Sequence, residues 1–309
     1  MVASFMHQCR AALLALILLA LPAGMAAAQS VQVLARFTPE AGRLVDAALI
    51  SDGHVALCYP DAGRVADYTY DGKLYQHIVR EGGEALRFRP TACAARGSAG
   101  LLVFDEAEHK LFTIGADGNI ESGVDLAYSA GGGQALALAS VGDLSRAADG
   151  TLFALLPQRN VLAGFDPAGR MTSSIDLGKA LPYASAVYSR TQLLPDGSLF
   201  VLDFHQGGVV YRRGAEGPYR RISLGTPAGL SAAPQVQDFA ADDSGNVMLA
   251  TYNPEAPLML LTPGAQGYGG HAVDLQLIRA PHRISLRYSR GTFILWIREK
   301  PSVILFRLQ

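Results

Sequence analysis

Short apolar runs recur along the chain, each directly behind a polar turn that ends in glycine. They read HVALCY (54–59), LLVFD (101–105), TLFALL (151–156), SLFVLDF (198–204), NVMLAT (246–251) and TFILWI (292–297). Most are apolar on both alternating faces, which predicts strands packed between two neighbouring sheets rather than strands half in water. The turn glycines are Gly53, Gly100, Gly150, Gly197, Gly245 and Gly291, spaced by 47, 50, 47, 48 and 46 residues. A second series, Gly72, Gly118, Gly169, Gly217 and Gly267, follows the first by about twenty residues. Glycine suits both because tight hairpins need positive φ, which a Cβ disfavours.

Two interleaved series with one period in the forties predict a four-stranded unit: strand, glycine turn, strand, loop, strand, glycine turn, strand. Segments after the second turn, such as GNIESGVDL and GRMTSSIDL, mix polar and apolar residues and suit an outer rim. After Gly291 there is room for only two strands, TFILWI and SVILFRLQ, while VQVLARF (31–37) near the start has no unit of its own. The fold expected is all-β: a six-bladed β-propeller of four-stranded blades, closed by the N-terminal strand joining the last blade. Closure removes a free sheet edge, a template for aggregation.

The stretch GDLSRAADGTLFALLPQRNVLAGFDPAGRM (142–171) is similar to the NHL-type repeats of six-bladed, TolB-like β-propellers, and the resemblance extends over nearly all of the chain after its leader. It implies the propeller architecture and several functions: sugar or ester lactonases, strictosidine-synthase-like enzymes, ligand-binding sensors and protein-binding scaffolds. Lactonases of similar architecture hold a metal with a Glu, an Asn and an Asp from separate strand tops, and no such trio stands out in this chain. Streptogramin-lyase-like propellers use seven blades, against the six counted here.

Residues 1–28 carry Arg10, an apolar stretch over 11–21, Pro22 and small residues up to Ala28, the pattern of a cleaved signal peptide. The stretch is shorter than the ~20 residues of a spanning helix. The expectation is a periplasmic or secreted protein with a single propeller domain over 29–309 and no membrane span after cleavage. With 26 Lys and Arg against 27 Asp and Glu, the chain has no basic excess with which to hold nucleic acid. Cys9 leaves with the leader, and the remaining Cys58 and Cys93 are placed near one level of adjacent blades. A disulfide between them is expected in an oxidising compartment, with a pair of buried thiols as the alternative.

Candidate chemistry falls on the face opposite the glycine turns, where loops vary while the blades stay rigid. Seven residues before each turn glycine stand Asp46, Cys93, Asp143, Arg190, Asp238 and Ile284. Three carboxylates on alternate blades with an arginine between them suit a polar ring that binds a hydroxylated ligand or a divalent cation (Ca²⁺, Mg²⁺ or Zn²⁺). The structural alternative is that each aspartate accepts N–H groups of its own loop. Among the loops between second and third strands, Asp203 and His205 suit an oriented imidazole and Asn253 a polar ligand contact, while Glu106, Glu108 and His109 suit a shared cation. No Gly-x-Ser-x-Gly, His-Glu-x-x-His, Cys-x-x-Cys or Walker motif is present. Two readings follow: a binding or scaffold protein presenting its loop face and channel mouth to a protein, peptide or glycan, or a metal-assisted hydrolase, lactonase or lyase using the channel-mouth carboxylates.

Overall fold

The computed structural model describes residues 30–79, 88–128, 136–137, 140–147, 149–181, 188–204, 209–214, 217–222, 234–264, 267–277, 283–298 and 301–309. Residues 1–29, where the signal peptide is expected, His205 and much of the blade-to-blade loops lie outside them. The chain falls into two compact units. In the first, Met1–Val31 with Leu308–Gln309, the Gln309 N–H donates to the Ser30 carbonyl at 2.9 Å. The second, Gln32–Arg307, holds the propeller.

Six four-stranded antiparallel sheets form the six blades. From the innermost strand outward, blade one is Asp46–Ser51, His54–Tyr59, Arg64–Thr69 and Leu74–Ile78; blade two is Pro90–Ala95, Leu101–Asp105, Lys110–Ile114 and Ile120–Asp125. Blade three is Asp143–Arg146, Leu152–Leu156, Val161–Phe165 and Met171–Asp176, and blade four is Tyr188–Leu193, Leu199–Asp203, Val209–Arg213 and Arg220–Arg221. Blade five is Val236–Ala241, Val247–Thr251, Leu258–Gly264 and Gly267–Ala272. Blade six takes Ile284–Ser289, Thr292–Ile297 and Ser302–Leu308 from the C-terminus and Val31–Phe37 from the start of the described chain, as the unassigned strand and the missing outer strand require. A two-stranded ribbon, Ala127–Tyr128 with Leu136–Ala137, lies outside the blades.

The second strands are apolar on both faces because the core lies in the seams between blades. One cluster joins Ala92, Phe104 and Leu111 of blade two to Leu144, Ala154 and Phe165 of blade three. Another joins Leu49 and Leu57 of blade one to Trp296 and Leu305 of blade six. All eleven glycines of the two turn series have positive φ. At Gly72 space is limiting as well, since an added Cβ would stand 2.5 Å from the Phe37 Cβ on the outer strand of blade six. Among the described residues no helix is long and apolar enough to cross a membrane.

Candidate functional site at the propeller axis

The innermost strands carry a buried network of charges. Asp46, Asp143 and Asp238 come from blades one, three and five, and Arg190 and Arg287 from blades four and six. The aspartates are at most 4% exposed and Arg190 is 7% exposed, so these charges are nearly dehydrated and need partners on every side. Each aspartate reaches across a seam to an N–H on the innermost strand of the next blade. Asp46 accepts from Cys93 at 2.8 Å, Asp143 from Thr191 at 2.7 Å and Asp238 from Leu286 at 3.0 Å. Asp46 and Asp238 also accept the N–H of the following residue, Ala47 at 3.0 Å and Phe239 at 2.9 Å.

The arginines complete the ring. Arg190 grips Asp238 through Nε at 2.9 Å and Nη2 at 2.7 Å. Arg287 grips Asp46 through Nε at 2.6 Å and Nη2 at 2.8 Å, and the same Nη2 stands 2.5 Å from Asp143 Oδ1. Arg190 Nη1 lies 3.6 Å from Asp143 and 3.9 Å from Asp46. Planar guanidinium forks match carboxylate pairs, so two arginines serve three aspartates. Burial opposes the charge on Asp46, but Arg287, Arg190 and the Cys93 N–H outweigh it and hold the carboxyl below its usual range. Burial and the nearby Arg287 likewise oppose the charge on Arg190, yet Asp238 and Asp143 raise its guanidinium above the ordinary value.

These positions refine the reading of the sequence. The seven-residue count finds the three aspartates and Arg190, whereas in blade six it lands on Ile284 and misses Arg287, three residues on. Each aspartate pairs across its hairpin with the residue five past the turn glycine: Cys58, Leu155 or Ala250. Arg287 pairs with Ile294, three past Gly291. It starts nearer the hairpin, and the longer side chain spans the difference. The signal was the charged pair within RYSR before Gly291, read without a fixed count.

The aspartates link neighbouring blades rather than serving only their own loops. Guanidinium groups and backbone N–H donors occupy the positions around the carboxylates, so this donor set does not fit a divalent cation. Among the described residues no group of three or more His, Cys, Asp or Glu is arranged to hold a metal. Glu106 stands 3.4 Å from Arg89 and Glu108 3.9 Å from Lys110. Asp203 is buried at the end of its strand opposite Tyr188, and its candidate partner His205 lies outside the described residues. Asn253 uses its side-chain oxygen to accept the Glu255 N–H at 2.9 Å, a lock on its own loop.

The expected Cys58–Cys93 disulfide is not formed: both are free, buried thiols. They do meet, as the sequence placed them. The Cys93 thiol is hydrogen-bonded to Cys58, and this contact, with burial, pushes it well above the usual thiol range. The pair packs among Ala48, Ile50 and Val103, in the seam between blades one and two.

The network separates two cavities. Toward the hairpin face, a cavity of about 250 Å³ includes Arg287, Arg146 and Arg290 in its lining. On the loop face, a cavity of about 350 Å³ lies beside the Arg190–Asp238 pair and is walled by blades four, five and six. Ser189, Gln237 and Arg283 line it from the chain entering each blade, and Phe204, Tyr252 and Arg298 from the ends of the second strands. The last three stand seven residues after their turn glycines, an offset the count toward the N-terminus could not reach. Blades one, two and three carry Pro60, Ala107 and Pro157 there.

Solved structures are similar over most of the chain. Virginiamycin B lyase from Staphylococcus aureus superposes with a TM-score of 0.55 at 13% identity, over 85% of this chain and 80% of that one. A streptogramin B lyase gives 0.60 at 9% identity, over 91% and 98%. A Bacteroides thetaiotaomicron protein of unknown function gives 0.62 at 13%, over 91% and 76%. At these identities the likeness is one of fold. The chain is a six-bladed β-propeller. No protein-family model matches this propeller, and no curated protein is similar to it.

Proposed function

We propose that this propeller is an exported binding protein of the NHL-type, TolB-like kind, which holds its ligand, a glycan, peptide or protein segment, at the loop-face mouth of its channel. Export rests on the leader-like segment 1–28. The observation that carries the reading is the division of labour at the axis. The central carboxylates are engaged in tying blades together, while the loop face beside them keeps an open cavity with varied side chains from three blades. A rigid ring with a concave, chemically mixed mouth is the usual form of a ligand site.

The competing reading, a metal-assisted hydrolase, lactonase or lyase, requires a cation among Asp46, Asp143 and Asp238. Two of the solved propellers resembled are lyases, but fold alone transfers no reaction. The test is to melt the chain from residue 29 with and without Ca²⁺, Mg²⁺ and Zn²⁺, and to probe it against glycan and peptide arrays. A cation at a hundred times its dissociation constant would add about 2.7 kcal/mol of stability. Indifference to all three ions together with a saturable array ligand is expected. A cation-dependent gain that is lost in Asp143→Asn would favour the enzyme, and the absence of any array ligand would overturn the binding reading.

A further inference from the structure

Resting on that reading, we infer that the loop-face cavity of blades four to six binds a carboxylate carried on a ring with an apolar face, the chemistry shared by an acidic sugar and an aromatic acid, with Arg298 receiving the carboxylate and Phe204 and Tyr252 packing against the ring. Charge is the first ground. Arg190 is committed to Asp238 in a two-bond grip, so its cation is answered within the protein. Arg298 has no ion pair among the described residues; its Nε donates to Ser285 Oγ at 3.0 Å. That bond fixes the plane of the guanidinium, and among the described residues its terminal nitrogens make no hydrogen bond, which suits them to a planar oxyanion. Arg283 lines the same cavity and adds positive charge. Burial lowers the Arg298 guanidinium from its ordinary value, and the nearby charges of Arg190, Arg283 and Arg43 act in the same direction against Asp238. A bound anion relieves that crowding.

The second ground is the pair of rings. Phe204 and Tyr252 are 46% and 48% exposed, among the most exposed large apolar side chains of the described residues, and both line this cavity. They occupy equivalent positions at the ends of second strands, where blades one and three have prolines that begin short 3₁₀ turns, Pro60–Ala62 and Pro157–Arg159. The aromatic and cationic substitutions therefore fall on one side of the mouth. Ring faces of this kind stack on sugar or aromatic rings. The volume of about 350 Å³ lies at the lower end for small-molecule sites and suits a ligand of one or two rings.

The test is calorimetric titration of the chain from residue 29 with a glucuronate-containing disaccharide, with benzoate, and with the methyl ester of each. Binding of one acid, weakened at least tenfold by esterification and by Arg298→Ala, and reduced by Tyr252→Ala, is expected; which acid binds identifies the source of the ring. Arg212→Ala, on the third strand of blade four, should leave affinity unchanged. If Arg298→Ala does not fold, Arg298→Gln removes the charge while retaining a polar side chain. Esters that bind as tightly as acids, or arginine variants that bind as well as the parent, would overturn the inference. If neither acid binds while the arrays yield a neutral ligand, the inference fails and the proposed function stands. If nothing binds in either experiment, both fail.

Discussion

Replacing Arg287 by methionine isolates the charge network, because methionine keeps much of the stem's bulk and deletes the charge. In the parent protein this guanidinium makes two hydrogen bonds to Asp46 and an ion pair to Asp143, both fully or almost fully buried. Its removal leaves two buried carboxylates with Arg190 as the remaining cation, at 3.9 and 3.6 Å and already committed to Asp238. Breaking a buried pair by removing one partner costs about 3–5 kcal/mol, chiefly the penalty of the stranded charge. In a chain of this size that corresponds to a fall in melting temperature of roughly ten degrees. The pH dependence supplies the sharper check. Asp46 in the parent is held below its unfolded value of about 3.9, so it stabilises the fold above that pH, and the contribution is lost as pH falls through the folded value. In Arg287→Met, burial acts without its main opponent and the carboxyl moves upward, so acid protonates the folded state first and stabilises it. The gap between parent and variant should therefore be widest near pH 7 and close toward pH 4. Urea unfolding across that range reads it directly. A gap below about 1 kcal/mol at pH 7, or one that does not narrow in acid, would refute the network as a central determinant of stability.

Two further predictions concern the seams. Gly72→Ala should destabilise more than Gly245→Ala: both force positive φ on a residue with a Cβ, at about 1–2 kcal/mol, but the Gly72 Cβ also meets Phe37 at 2.5 Å while Gly245 opens on empty space. Equal melting temperatures would show that the outer strand of blade six does not pack there. Cys58 and Cys93 should resist a thiol-alkylating reagent in the native protein and react as two thiols after unfolding without reductant; recovery of fewer than two would show that they are bridged.

The sequence alone determined the propeller, its six-fold count and its closure, because these depend on local rules repeated six times. A glycine turn, a strand apolar on both faces and a fixed period need no knowledge of distant contacts, and the surplus N-terminal strand could belong only to the blade that lacked one. It also found Asp46, Asp143, Asp238 and Arg190, since alternate blades repeat one offset from the glycine. What those charges do was decided in three dimensions. An aspartate's partner lies 47 or 48 residues away in the next blade, Arg287 lies 241 residues from Asp46, and no linear spacing records that a long guanidinium rises from lower on its strand to meet them. The loop-face cavity is likewise tertiary. Phe204, Tyr252 and Arg298 occupy one offset in three successive blades, but only the curvature of the ring brings them around a common space, where Asp238 engages Arg190 while Arg298 has no ion pair among the described residues.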